Sequence, residues 1–203
     1  MSKYKKINRG GILFVAIAVI LALIITLDVV NANIAEKKIL EVTEKYFTLE
    51  AKYAVLPENV RGNGTETSVF VNHYKRAERE LEPMLYTKSA AGKNYVVEKA
   101  LESFKCAGIY QEKNRTHYNN VEIRIEKRYS NINISNDGKE ATAQICTDIY
   151  TDGDIMTTHC LCTFTCIKDG SEWYILNAKS AFSAFSGSFI SDYPEDEDIY
   201  FYE

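Results

Sequence analysis

Residues Gly11 to Val30 read GILFVAIAVILALIITLDVV, an apolar run with Asp28 as its only charged member. At about 1.5 Å of rise per residue, a helix of this length covers the roughly 30 Å hydrocarbon layer of a bilayer. Lys3, Lys5, Lys6 and Arg9 precede it, and positive charge flanking a span marks the cytoplasmic end. The expected organisation is a cytoplasmic basic tail over 1–10, a transmembrane anchor over 11–30, an extracytoplasmic domain over 31–185 and an acidic, aromatic tail over 186–203. Val30-Asn31-Ala32 offers a second reading, because small-x-small marks the cleavage site of a signal peptide. The uninterrupted core from Ile12 to Leu27 exceeds the roughly 7–15 residues of a signal core, which favours the anchor. No Cys follows the run, so a lipid-modified terminus is not indicated. Both readings carry the domain out of the cytoplasm.

The formal net charge is -4; four of the 24 basic residues lie in the first ten positions, leaving 20 against 28 acidic residues beyond them. Such a domain is not built to hold nucleic acid by its phosphates. The expected partners are the membrane, through residues 11–30, and a protein or a second copy of the chain. Asn63, Asn114 and Asn133 begin Asn-x-Ser/Thr sequons, common tripeptides to which we attach little weight.

No Pro or Gly occurs between Ile12 and Leu56, so the membrane helix is expected to run on until Pro57 stops it. Ala35, Ile39, Val42, Tyr46, Leu49 and Tyr53 recur at steps of four and three, drawing one apolar stripe. The stripe suits packing within the domain; the alternative, a coiled-coil seam, would have only about three heptads. After a loop rich in Gly and Asn, Phe70, Tyr74, Ala77 and Leu81 mark a second helix ending near Pro83. Val97, Leu101 and Phe104 mark a third that fades by Gly108.

Beyond Val121 the apolar period changes from about 3.6 to 2, and Asp-Gly pairs stand at 137/138, 152/153 and 169/170. Asp-Gly between alternating runs signals a two-residue hairpin loop. With that geometry Asn136 faces Lys139, Thr151 faces Asp154, and Lys168 faces Ser171. Extending the ladders puts Ile132, Ala143, Cys162 and Asn177 in one inward row. The apolar parity switches between Ile125 and Ile132, so a bulge is expected near Lys127 to Ser130. The fold class is therefore α+β, an N-terminal transmembrane helix followed by three helices packed on a bent antiparallel β-meander.

The helix AEKKILEVTEKYFTLEAKY (Ala35 to Tyr53), the bulged strand VEIRIEKRYSNINI (Val121 to Ile134) and the closing strand EWYILNAKS (Glu172 to Ser180) together resemble the nuclear transport factor 2-like, or cystatin-like cone, superfamily in a membrane-anchored bacterial form. The resemblance is one of layout over residues 33 to 182. It implies a helix-lined cone, a scaffold that hosts isomerases, dehydratases, ligand-binding modules and assembly domains of secretion machines alike.

Four of the five cysteines lie between Cys146 and Leu176. The register turns Cys160, Cys162 and Cys166 inward at spacings of about 6.6 and 13 Å, at or beyond the reach of a disulfide. No C-x2-C spacing occurs, so no metal site is expected. These thiols read as small core residues, with Cys106 as the one plausible disulfide partner. Cys146 falls on the polar face opposite His159, a candidate reactive pair without a third orienting group. Ser130, Asn177 and Lys179 enter the cone in the same register and form a candidate ligand pocket. No catalytic residue and no cofactor is indicated. The expected function is a membrane-anchored extracytoplasmic binding or assembly module; the alternatives are a cone pocket for a small ligand or reaction, and a scaffold component of a secretion or conjugation apparatus.

Overall fold

The computed structural model describes residues 9–184. The expectations for the basic and acidic tails fall largely outside this range. The protein is α+β, with a long apolar N-terminal helix and a curled antiparallel sheet. Two compact units divide at Lys38 and Ile39.

In the first unit, α1 (Arg9–Ala54) carries the apolar run without a break. Its side chains from Phe14 to Val30 are exposed, and the most apolar window has a mean hydropathy of 2.6. A helix this long and apolar is able to cross a membrane; an N-terminal signal sequence has the same character. The apolar run and the first domain helix are one element, as expected from the lack of Pro or Gly before Pro57.

The second unit begins on the same helix. Ile39, Val42, Tyr46 and Tyr53 of the predicted stripe are buried, and Leu49 is half-buried. The burial is wider than that stripe, because Thr43, Phe47, Glu50 and Ala54 are covered too. The last carbonyls of α1 have no intrahelical partner and are met by side chains: Gln111 Nε2 donates to Ala54 O at 2.6 Å, and His73 Nε2 lies 3.1 Å from Tyr53 O. Gln111 Oε1 also accepts the N–H of Tyr118 at 3.0 Å, tying the strand entry to both helices.

α2 (Ser68–Leu81) starts at Thr67, whose side chain accepts from Phe70 N, and buries Phe70, His73, Tyr74, Ala77 and Leu81. A 3₁₀ turn through Pro83 ends it. α3 (Lys93–Asn114) does not fade at Gly108. At that glycine the side chains of α2 lie close against α3: a Cβ there would be 2.2 Å from Tyr74 Oη and 3.2 Å from the Phe70 ring. Overpacking of this kind costs about 1–3 kcal/mol, offset by roughly 1 kcal/mol of helix propensity. Gly108→Ala is expected to lower the unfolding midpoint, and an unchanged or raised midpoint would contradict the contact.

The sheet comprises β1 (Val121–Ile125), β2 (Asn131–Ile134), β3 (Glu140–Thr151), β4 (Asp154–Asp169) and β5 (Glu172–Lys179), in the order β1-β3-β4-β5, with β2 continuing β1 along β3. The parity switch falls where expected but is larger than one residue. A 3₁₀ turn at Lys127–Tyr129 splits the strand, and the pairing moves from Ile125↔Thr147 to Asn131↔Gln144.

The first two hairpins keep the predicted register near their loops, with Ile134↔Ala141 and Thr151↔Asp154. Asp152 and Gly153 take φ of 53° and 94°, the two positive values a type I′ loop requires. The third hairpin differs. Asp169 pairs with Glu172, so its loop is Gly170-Ser171, with a positive φ at Gly170 alone. Gly in the first central position suits a type II′ loop, and this displaces the predicted register by two.

Three further irregularities follow. On β4, two extra residues between Ile155 and Cys160 bring Thr147 opposite Cys160 and Ala143 opposite Phe164. On β5, Leu176 is the extra residue between Ile175 and Asn177. An even shift preserves which face a residue occupies and an odd one reverses it. Cys162 and Cys166 therefore stay inward and fully buried, while Ala178, not Asn177, joins the inner row.

Candidate functional site

The inner surface of the sheet is occupied by rings. Tyr46 packs edge-on against Phe104 at 5.0 Å and Phe164 at 5.3 Å, and Phe47 meets Phe164 at 5.3 Å. Phe182, from a helical turn at 181–184, is also fully buried. The α1 stripe supplies the first two rings, and the inward parity of β4 supplies Phe164.

One carboxylate lies among them. Glu50 is 1% exposed. Its Oε1 accepts from Ser180 Oγ at 2.6 Å and Phe182 N at 3.0 Å, and its Oε2 accepts from Ala181 N at 3.3 Å. Burial pushes its pKa from the usual 4.5 up to about 7, against the lowering effect of those three donors. Burial, and then the nearby Glu50 charge, push the Tyr46 hydroxyl well above its ordinary range. Tyr46 Oη donates to Ala100 O at 3.3 Å, and Ser103 Oγ donates to Ala178 O at 3.2 Å. Sequence reasoning missed Glu50, although its place four residues after Tyr46 and three before Tyr53 put it on the buried side of α1.

The sequence-predicted pocket residues are not brought together. Asn177 and Lys179 are exposed on the other face of β5, because the Leu176 bulge and the Gly170-Ser171 loop together displace them by an odd number of residues. Ser130 is half-buried beside the 3₁₀ turn, accepting from Cys146 N at 3.1 Å and donating to Glu126 O at 3.0 Å.

The candidate reactive pair is likewise separated. Cys146 faces Leu161, since the two extra residues of β4 carry His159 past it. The expected exposure of Cys146 is also corrected: it is 4% exposed. Burial, followed by the charges of Asp148 and Glu126, raises its thiol pKa, the reverse of nucleophile activation. His159 is exposed at a φ of 56°, its N–H held by Asp148 Oδ1 at 2.8 Å and its ring 5.4 Å from that of Tyr129.

The inward cysteines pack as small apolar groups. Burial raises Cys166 to about 12 and Cys162 further, and Cys162 Sγ lies 3.4 Å from Thr147 Oγ1. Cys160 is half-buried, with its thiol pKa also raised by burial. Cys106 forms no disulfide. Among the described residues, no three His, Cys, Asp or Glu gather to hold a metal.

Two surface clefts lie away from this interior. One, of about 350 Å³, is lined by Arg79, Glu82, Tyr86, Lys88, Asp169 and Tyr174, and the Lys88–Asp169 ion pair at 2.6 Å crosses it. The other, of about 440 Å³, lies by Gly62, Gly64 and Glu112. There the Glu112 carboxylate accepts the N–H groups of both glycines at 2.9 Å. In each cleft an acidic side chain, Asp169 in the first and Glu112 in the second, is engaged by groups of the chain itself.

Fold and interior thus define an α+β domain whose curled sheet is filled by its own helix, continuous with an apolar N-terminal segment. No protein-family model matches the chain, and no curated protein matches it in sequence.

Proposed function

We propose that the protein is a single-pass, membrane-anchored module that works by binding or assembly through the outside of its domain, with that domain on the extracytoplasmic side. The carrying observation is the filled interior. Tyr46, Phe47, Phe104, Phe164 and Phe182 occupy the space a cone pocket needs, and no buried side-chain nitrogen or oxygen among the described residues lacks a partner. A binding site holds polar groups ready for a ligand; here Glu50, Ser103, Ser180 and Gln111 are spent on the fold itself. Helix, curled sheet and closing strand also support kinship with the nuclear transport factor 2-like layout, without its pocket chemistry. The orientation rests on Lys3, Lys5, Lys6 and Arg9 before the apolar run.

Two measurements test this reading. The full chain is expected to stay with membranes through carbonate extraction, and its C-terminal epitope to be digested by protease added outside intact cells. A soluble product beginning near Asn33 would establish the signal-peptide alternative, and a protected epitope would reverse the orientation. For the pocket alternative, a small ligand that raises the unfolding midpoint and loses its effect when Glu50 is replaced would overturn the binding-module reading.

A further inference from the structure

Asn63-Gly64 is the single Asn-Gly step in the chain. It lies in the exposed loop between α1 and α2, with Gly62 and Gly64 at φ of 71° and 81°. Glycine has no Cβ, so its nitrogen is free to swing toward the side-chain amide of the residue before it. An exposed step of this kind is where an Asn amide is most readily lost. Two sets of hydrogen bonds restrain it here. The Gly62 and Gly64 N–H groups each donate to one oxygen of the Glu112 carboxylate at 2.9 Å. Asn63 Nδ2 donates back to Asn59 O at 2.9 Å and to Arg61 O at 3.4 Å.

We propose that Asn63 is a site of self-deamidation which Glu112 holds in check, and that its reaction opens the loop in one direction. The Gly64 nitrogen loses its proton to solvent and bonds to Asn63 Cγ. The bond from Cγ to Nδ2 breaks, that nitrogen leaves as ammonia, and a five-membered imide remains. Water then opens the imide at either carbonyl, leaving an aspartate at 63 or its β-linked isomer. Glu112 opposes the first step in two ways. Its negative charge beside the Gly64 N–H disfavours the anion that deprotonation creates there. The hydrogen bond also directs that N–H toward α3 and holds it there.

The product no longer fits the loop. A carboxylate oxygen replaces the Nδ2 donor and stands against the carbonyls of Asn59 and Arg61, acceptor against acceptor. The new charge arises between the two glycines that hold Glu112, where like charges repel. In the β-linked isomer the main chain is one atom longer, so the two N–H groups lose the spacing that matches one carboxylate. Loss of those bonds frees Glu112 in the cleft it shares with Arg115 and His117, and changes the charge of an exposed surface. The inference depends neither on the anchor nor on the side of the membrane.

The test follows the full chain in detergent at mildly alkaline pH, with aspartate and its β-linked isomer at 63 read by peptide mass spectrometry. Folded wild type is expected to convert more slowly than the same chain in denaturant. Glu112→Gln is expected to convert about tenfold faster than wild type, the scale of losing a hydrogen bond to a charged acceptor. Glu58→Gln, on the same loop, should match wild type. Glu112→Asp, with the charge on a shorter arm, should also accelerate conversion, and it carries the test should Glu112→Gln fail to fold. Equal rates in wild type and the Glu112 variants would overturn the proposal. So would slower conversion in Glu112→Gln, because the carboxylate would then be serving as a base, or a folded wild type that converts as fast as the unfolded chain. Hydrogen exchange reads the opening itself: in Asn63→Asp the Gly62 and Gly64 amides should exchange about tenfold faster than in wild type, and unchanged exchange would overturn the one-way opening. None of these outcomes alters carbonate extraction or protease accessibility, so this inference and the proposed function fail separately.

Discussion

Phe164→Ala is expected to cost about 3–5 kcal/mol of stability, the range for truncating a fully buried Phe in a core that does not collapse. Phe164 is 0% exposed, and its ring stands edge-on to both Tyr46 and Phe47. Removing it takes away the central ring of the interior and two aromatic contacts worth about 0.5–1.5 kcal/mol each beyond their area. Trp173, the single tryptophan, is buried in β5 and reports unfolding by fluorescence. The control is Tyr129→Ala on the exposed side, expected to stay within about 0.5 kcal/mol. The result bears directly on function. A loss under about 1 kcal/mol for Phe164→Ala would mean that the interior has slack, and the pocket reading would regain its footing.

Much of this interior was legible from residue spacing, and its failures have particular physical causes. The stripe from Ile39 to Tyr53 and the set Phe70, Tyr74, Ala77 and Leu81 follow from a helical period that burial enforces. The loop at Asp152-Gly153 follows from the two positive φ values that type I′ demands. The loop at 169–171 was ambiguous because Asp169-Gly170-Ser171 contains two valid two-residue loops, Asp-Gly and Gly-Ser. Spacing has no means of choosing between them. Nor does composition mark the extra residues of β4 and β5. His159 takes a left-handed φ without being glycine, and Leu176 looks like any strand residue. Since one odd shift exchanges the faces of a strand, a reading that was sound for Cys162 and Cys166 failed for Asn177 and Lys179 on the next strand. Pocket residues were thus the least secure part of the sequence reading, because they depended on several registers in series.

The Glu50 carboxylate is expected to make the stability of the domain depend on pH in an unusual direction. Its pKa is raised in the folded state, from 4.5 to about 7, so the native chain holds the proton more tightly than the unfolded chain. Stability from this group is therefore fully present below about pH 4.5 and declines as pH rises through about 7, flattening above. At about 1.4 kcal/mol per unit, the change across that window is on the order of 3 kcal/mol. His73 works the other way: burial lowers its pKa from 6.5, so its cost appears as pH falls below that value. The two slopes overlap, and the Glu50 contribution is read as the difference between wild type and Glu50→Gln, in which the window between pH 4.5 and 7 should lose its downward slope. Glu50→Ala is the more damaging change at every pH. It strands the Ser180 hydroxyl and the N–H groups of Ala181 and Phe182 in an apolar interior, at about 1–3 kcal/mol for each buried group left unsatisfied. The expected outcome is a loss on the order of 3–5 kcal/mol, with the turn at 181–184 released from α1 and gaining hydrogen exchange ahead of the sheet. A Glu50→Gln chain with the wild-type pH profile would show that another group titrates there. A Glu50→Ala chain as stable as wild type would mean that the carboxylate is not fastening the end of the sheet to α1, and its burial would then call for a ligand or a reaction to explain it.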